Sequence, residues 1–199
     1  MWFTVPIVGV VLAYTWVIDA IAPAWVGVAA GTLVIGLALG RALKTGEWGL
    51  QPRAFLPALG WSAAFTTAGA LVMYAAGSRL GTLHDRPDAW GNFAVLIPWA
   101  LGQQFALQTV LLRESQGTVS KSAGIWLGAL LFASLHLPNP FLSAATFIGA
   151  LAWCRVYDRY PNLLPFALSH AILTLAILYA FDDRITGGLR VGSAYLTRR

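Results

Sequence analysis

The sequence predicts an all-α fold, a polytopic membrane bundle of about seven transmembrane helices. Two observations carry this. Of 199 residues, 58% are hydrophobic and only 11% charged, and the mean hydropathy is +0.68. A soluble domain carries about 25% charged residues. The apolar residues also gather in runs of about 20, the length that crosses the hydrocarbon core as a helix. Residues 1–199 are read as a single integral membrane domain, with no internal repeat and no low-complexity segment.

The first span is Trp2–Ile21. Met1-Trp2-Phe3 lacks the basic opening of a secretory signal, so this run is expected to be retained. The second, Ala24–Leu43, holds Gly27-x-x-x-Gly31 and Gly36-x-x-x-Gly40. That spacing lets helix backbones approach closely, and the expected contact is within the chain. The third, Phe55–Gly77, leads into a polar loop, Ser78–Asn92, that contains Arg79, His84, Asp85, Arg86 and Asp88. The fourth is Phe93–Leu112. The fifth, Ala123–Leu137, and sixth, Phe141–Tyr157, are short and joined by Pro138-Asn139-Pro140. Proline lacks a backbone donor, so this tripeptide marks a boundary and a tight hairpin. The seventh, Leu163–Phe181, ends at the interface with Asp182-Asp183-Arg184. Residues 1–92 thus hold the N-terminal spans and loops, 93–181 the core, and 182–199 a polar tail ordered by whatever it touches.

The flanks support this layout. Trp2, Trp25, Trp48, Trp90 and Trp99 stand near span ends, as aromatic belts require. Arg41, Lys44, Arg53, Arg113, Lys121, Arg155 and Arg159 fall on one side of a seven-span chain. Arg79, Arg86, Arg184, Arg190, Arg198 and Arg199 fall on the other, so the orientation signal is shallow. The net charge of +5 is spread over short loops and the tail. With so little soluble surface, the lipid bilayer and other membrane subunits are the expected partners, and nucleic acid is not. Cys154 is the single cysteine, so there is no intrachain disulfide.

The chemistry is concentrated in three apolar segments. Gln103, Gln104 and Gln108 lie in the fourth, His136 at the end of the fifth, and His170 in the seventh. Polar groups in hydrocarbon are costly and point inward toward one another or toward a function. Helical spacing groups Gln104 with Gln108, Phe132 with His136, and His170 with Thr174. Ser134 and Ser169 are expected as hydrogen-bond partners of the histidines. Two histidines without a nearby acid or thiolate make a poor zinc set, so no metal is assigned. No phosphate loop, nucleophile elbow or haem-attachment motif is present.

The run Gln103-Gln104-Phe105-Ala106-Leu107-Gln108, then Phe132-Ala133-Ser134-Leu135-His136 followed by Leu-Pro-Asn, then His170-Ala171-Ile172-Leu173-Thr174, resembles the CAAX protease and bacteriocin-processing family of intramembrane endopeptidases, abbreviated CPBP. That family carries Glu-Glu-x-x-x-Arg, Phe-x-x-x-His and His-x-x-x-Asn in this order on separate membrane helices. The resemblance covers residues 93–181 and implies a CPBP-like core. It implies that Gln103 stands at the water-activating acid, with His136 as its partner. It also implies that His170 and Thr174 stand where an oxyanion is held, and that Gln104, Gln108 and Phe132 complete the lining.

The chain departs from the family at Gln103, Gln104, Gln108 and Thr174. A carboxylate takes a proton from water in the transition state, and a neutral amide does not near pH 7. Loss of a general base typically forfeits ~10²–10⁴ in rate. The leading expectation is therefore a catalytically degenerate CPBP-like protein serving as a subunit, assembly factor or binding platform of a membrane complex. Two alternatives stay open. One is an active endopeptidase with a variant site, using His136 as base with His170 and Thr174 on the oxyanion. The other is a pigment, haem or isoprenoid-lipid binder. No cofactor is assigned; zinc, haem and a chlorophyll-type pigment are the groups weighed. The expected location is a bacterial inner (cytoplasmic) membrane.

Overall fold

Helix accounts for every apolar run in the computed structural model, which describes residues 1–85 and 89–197. The principal helices are α1 (Thr4–Ala13), α2 (Trp25–Thr45), α3 (Phe55–Leu80), α4 (Ala89–Phe105), α5 (Arg113–Thr118), α6 (Lys121–Ser134), α7 (Pro140–Tyr157) and α8 (Leu163–Ala180). Two short helices, α9 (Asp183–Thr186) and α10 (Gly192–Leu196), follow. Two wider, π-helical stretches continue α1 over Tyr14–Ile18 and α4 over Ala106–Leu112. No strand occurs among the described residues, where Leu50 and Asn162 form an isolated antiparallel bridge.

Among the described residues, four segments are long and apolar enough to cross a membrane: Trp25–Thr45, Pro52–Leu80, Phe93–Thr118 and Leu163–Ala180. Thr4–Ile18 and Lys121–Ser134 are shorter apolar helices. Only 17% of the apolar window of Trp25–Thr45 is buried, against 56% for Leu163–Ala180. A helix that is apolar all round and mostly uncovered is satisfied by lipid, as α2 is. This is an integral membrane protein built of helices.

The chain divides into two compact units. The first comprises Met1–Trp48, Phe105–Cys154 and Leu189–Arg199, and the second Gly49–Gln104 and Arg155–Gly188. In the first, α1 packs on α2, α6 packs on α5 and on the π-helical stretch Ala106–Leu112, and α10 packs on Tyr14–Ile18. Glu114 binds both free backbone donors at the start of α1, accepting from Phe3 N at 3.1 Å and Thr4 N at 2.9 Å. A carboxylate at a helix N-terminus meets both its unpaired N–H groups and its dipole. In the second unit α3 packs on α8, and Asn162 caps α8 by accepting from Leu164 N at 3.2 Å.

Several boundaries differ from the sequence reading. The third span continues through Ser78, Arg79 and Leu80 and stops at Gly81, whose φ of +67° ends the helix. The polar loop is therefore shorter than Ser78–Asn92, since α4 already begins at Ala89. Arg86, Asp88, Arg198 and Arg199 lie outside the described residues. The glycine pairs of α2 do not bring two backbones together. An added Cβ at Gly31 or Gly36 meets nothing within 4 Å, and those at Gly27 and Gly40 meet the side chains of Tyr14 and Phe3. Close approach occurs instead at Gly77 of α3, where a Cβ would run into the Ala180 carbonyl oxygen.

Candidate functional site

In the second unit, α4 carries Gln103 and Gln104 in its last turn while α8 carries His170 and Thr174. Gln104 is fully buried and His170 is 9% exposed. Gln104 Nε2 lies 3.5 Å from His170 Nδ1, a long hydrogen bond. An amide nitrogen only donates, so Nδ1 accepts, and neutral His170 carries its proton on Nε2. Gln103 Oε1 is buried and accepts no hydrogen bond among the described residues. Thr174 is half-buried, one turn further along α8.

A hydroxyl chain that the sequence reading did not find lies in this unit. Thr66 Oγ1 is 2.6 Å from the Ser62 carbonyl and 2.6 Å from Ser169 Oγ. The two hydroxyls share a hydrogen bond, and Thr66 also donates to the Ser62 carbonyl. The residue beside His170 thereby ties α8 to α3. The four-residue spacing of Ser62 and Thr66 on one helix was the available signal, obscured because both are ordinary residues of membrane helices.

In the first unit the second motif is built at the end of α6. Phe132 is buried in the last turn and His136 stands just beyond the helix, half-buried. The imidazole folds back, with Nδ1 2.9 Å from the Phe132 carbonyl oxygen and the two rings edge-on at 5.0 Å. A carbonyl only accepts, so Nδ1 carries the proton and Nε2 presents a lone pair. Nε2 makes no hydrogen bond among the described residues. Asn139, 1% exposed, holds the turn after His136. Its backbone N donates to the His136 carbonyl at 3.2 Å, and its Oδ1 caps α7 through Leu142 N at 3.0 Å. Gln108, also of this unit, is fully buried within the π-helical stretch. The α-helical four-residue register behind the expected pairing of Gln104 with Gln108 does not run through that stretch.

Ser134 takes another partner than His136. Ser134 Oγ donates to the Leu131 carbonyl at 2.7 Å, and Ser169 pairs with Thr66. Among the described residues no group of three or more His, Cys, Asp or Glu side chains is placed to hold a metal ion.

Residues 86–176 match the family model described as type II CAAX prenyl endopeptidase Rce1-like. This region is Rce1-like. The match spans Gln103, Gln104, Gln108, Phe132, His136, His170 and Thr174, so the CPBP resemblance read from the three motifs is borne out over the core of the chain. No curated protein and no solved structure matches. Within the Rce1-like region the two imidazoles make different contacts. His136 offers a lone pair on Nε2 and His170 a proton on Nε2. What differs is the acidic motif, replaced by amides.

Proposed function

We propose that this chain is a CPBP-type membrane protein that has exchanged water-activating chemistry for a neutral hydrogen-bonded interior, and that it works as a subunit, assembly factor or binding platform of a membrane complex. The observation that carries this reading is the Gln104–His170 pair. In a fully buried position beside the imidazole, an amide satisfies the histidine without ionisation. A carboxylate there would couple to an imidazolium and hold a proton for transfer. Gln103 adds an acceptor but no basic group.

The test uses purified protein in mild detergent, a prenylated CAAX peptide as substrate, and wild type beside the double variant Gln103→Glu/Gln104→Glu. Wild type is expected to show no cleavage above background and to copurify with a membrane protein in fixed stoichiometry. The double variant is expected to gain activity, by ~10²-fold or more if the acid is the missing general base. Wild-type cleavage that His136→Ala abolishes would overturn the reading.

One observation favours an active enzyme as the second reading. His136 Nε2 is a lone pair held in place by the Nδ1–H bond to Phe132, which is how a histidine base is oriented. Under that reading, wild type cleaves the peptide slowly and the reaction depends on His136.

A further inference from the structure

A groove runs between α3 and α8 in the second unit, with a volume of about 480 Å³. On α3 it reaches from Leu59 to Tyr74, about 22 Å at a rise of 1.5 Å per residue. Ser62, Thr66 and Ser169 form a buried floor, while Thr67, Leu71 and Leu168 stand exposed at the rims. The groove exists because α3 is small on this face. Ser62, Ala63, Thr66, Thr67 and Ala70 recur at three- and four-residue spacing and share one side of the helix. Outside the groove α3 exposes large side chains, Leu56, Trp61 and Val72, as a lipid-facing helix does.

Ser62 is the informative member. It is 3% exposed, and its Oγ has no hydrogen-bond partner among the described residues. Thr66 and Ser169 beside it are bonded to each other. Ser62 lies inside the span Pro52–Leu80, where no water is at hand to pair with it. A buried hydroxyl without a partner is unfavourable, so this one calls for a group from outside the chain.

Shape and chemistry together select that group. A lipid acyl chain brings only methylenes to this depth and leaves Ser62 unpaired. A second copy on a two-fold axis would set groove against groove, and neither would fill the other. A helix is convex and lies along α3 and α8 for the whole length. Small residues let its backbone come close, and its carbonyls, hydroxyls or amides then reach Ser62.

We propose that the α3–α8 groove is the docking site for one transmembrane helix of a partner subunit, held by a hydrogen bond to Ser62 Oγ and by close backbone contact along Ala63, Thr67 and Ala70. The inference rests on the reading of the chain as a subunit of a membrane complex and names the surface by which it joins.

The experiment is binding of dansyl-labelled model transmembrane peptides in mild detergent, read as energy transfer from the protein's tryptophans. One peptide carries a serine and alanine stripe at four-residue spacing on a leucine helix, and the other is all leucine. Wild type is expected to bind the striped peptide saturably, and the leucine peptide about tenfold more weakly or worse. Thr67→Leu fills the groove from an exposed position and is expected to abolish binding. Ser62→Ala is expected to weaken binding about fivefold, as one interhelical hydrogen bond implies, and to leave the Tm of the free protein unchanged. Val72→Ala, on the exposed side of α3 outside the groove, is expected to bind as wild type does. Equal binding of the two peptides, or striped-peptide binding that survives Thr67→Leu, overturns the site. A dansylated fatty acid that binds as tightly and is lost in Thr67→Leu assigns the groove to a lipid chain and overturns the helix. Self-association of wild type that Thr67→Leu abolishes assigns it to a second copy, with the same consequence. A wild type that neither cleaves the prenylated peptide nor binds the striped one overturns the groove and leaves the subunit reading standing. Striped-peptide binding by a wild type that cleaves through His136 does the reverse.

Discussion

At the scale of single residues, the interior of this protein is organised by which atoms can donate. Gln104 Nε2 can only give a proton to His170 Nδ1, and the Phe132 carbonyl can only take one from His136 Nδ1. The two histidines therefore carry opposite tautomers, which no sequence motif encodes. Nitrogen-15 NMR of the labelled protein is expected to show His170 protonated on Nε2 and His136 on Nδ1. Gln104→Glu replaces a donor with a pure acceptor, so His170 is expected to gain a proton on Nδ1. An unchanged His170 spectrum in that variant would show that the Gln104 contact does not set the tautomer. Gln104→Leu tests the same contact through stability. It removes a buried hydrogen-bonding group at nearly constant volume and is expected to cost about 1–3 kcal/mol in thermal unfolding.

At the scale of elements, what holds a helix end decides more than what fills its middle. Asn139 is the clearest case. Its Oδ1 caps α7 through Leu142 N, while its Nδ2 donates to the Arg190 carbonyl at 3.0 Å. The sequence marks Pro138-Asn139-Pro140 as a tight connection, and it is one. The second bond, to a residue 51 positions away, has no local signature. Asn139→Ala is expected to cost about 1 kcal/mol through the lost cap alone. The released carbonyl belongs to the Arg190–Val191 peptide, so limited trypsin digestion at Arg190 is expected to run roughly fivefold faster, as a loss near 1 kcal/mol implies. Unchanged cleavage would mean that the tail is held by other contacts. Gly77 makes the related point about packing. A Cβ there would run into the Ala180 carbonyl, so Gly77→Ala is expected to push α3 from α8 and destabilise the second unit by about 1–3 kcal/mol in thermal unfolding.

At the scale of the whole molecule, the helical membrane class was legible because composition and run length are properties of the chain itself. The Rce1-like region was legible because Phe132, His136 and His170 keep their spacing in order. Three things were not. The glycine spacing of α2 is the same whether a helix faces protein or lipid, and Gly31 and Gly36 face open space. The Arg41–Glu47–Arg113 network joins a loop acid to arginines on two helices, a tertiary fact. The tail reads as polar and glycine-containing, yet it is built into the first unit. Gly192 N donates to the Leu137 carbonyl at 2.8 Å and Ser193 Oγ to the Thr15 carbonyl at 3.1 Å. Gly192 has φ +57°, and a Cβ there would run into the Thr15 carbonyl oxygen, so only glycine fits. Residues 189–197 thus close the first unit between the start of the chain and the turn after His136. Deleting residues 189–199 is expected to raise hydrogen exchange at Leu137–Asn139 and around Thr15, where its bonds are lost. Exchange across α3 and α8, which the tail beyond Gly188 does not help to form, is expected to stay unchanged. A uniform rise across both helices would show that the two units unfold as one.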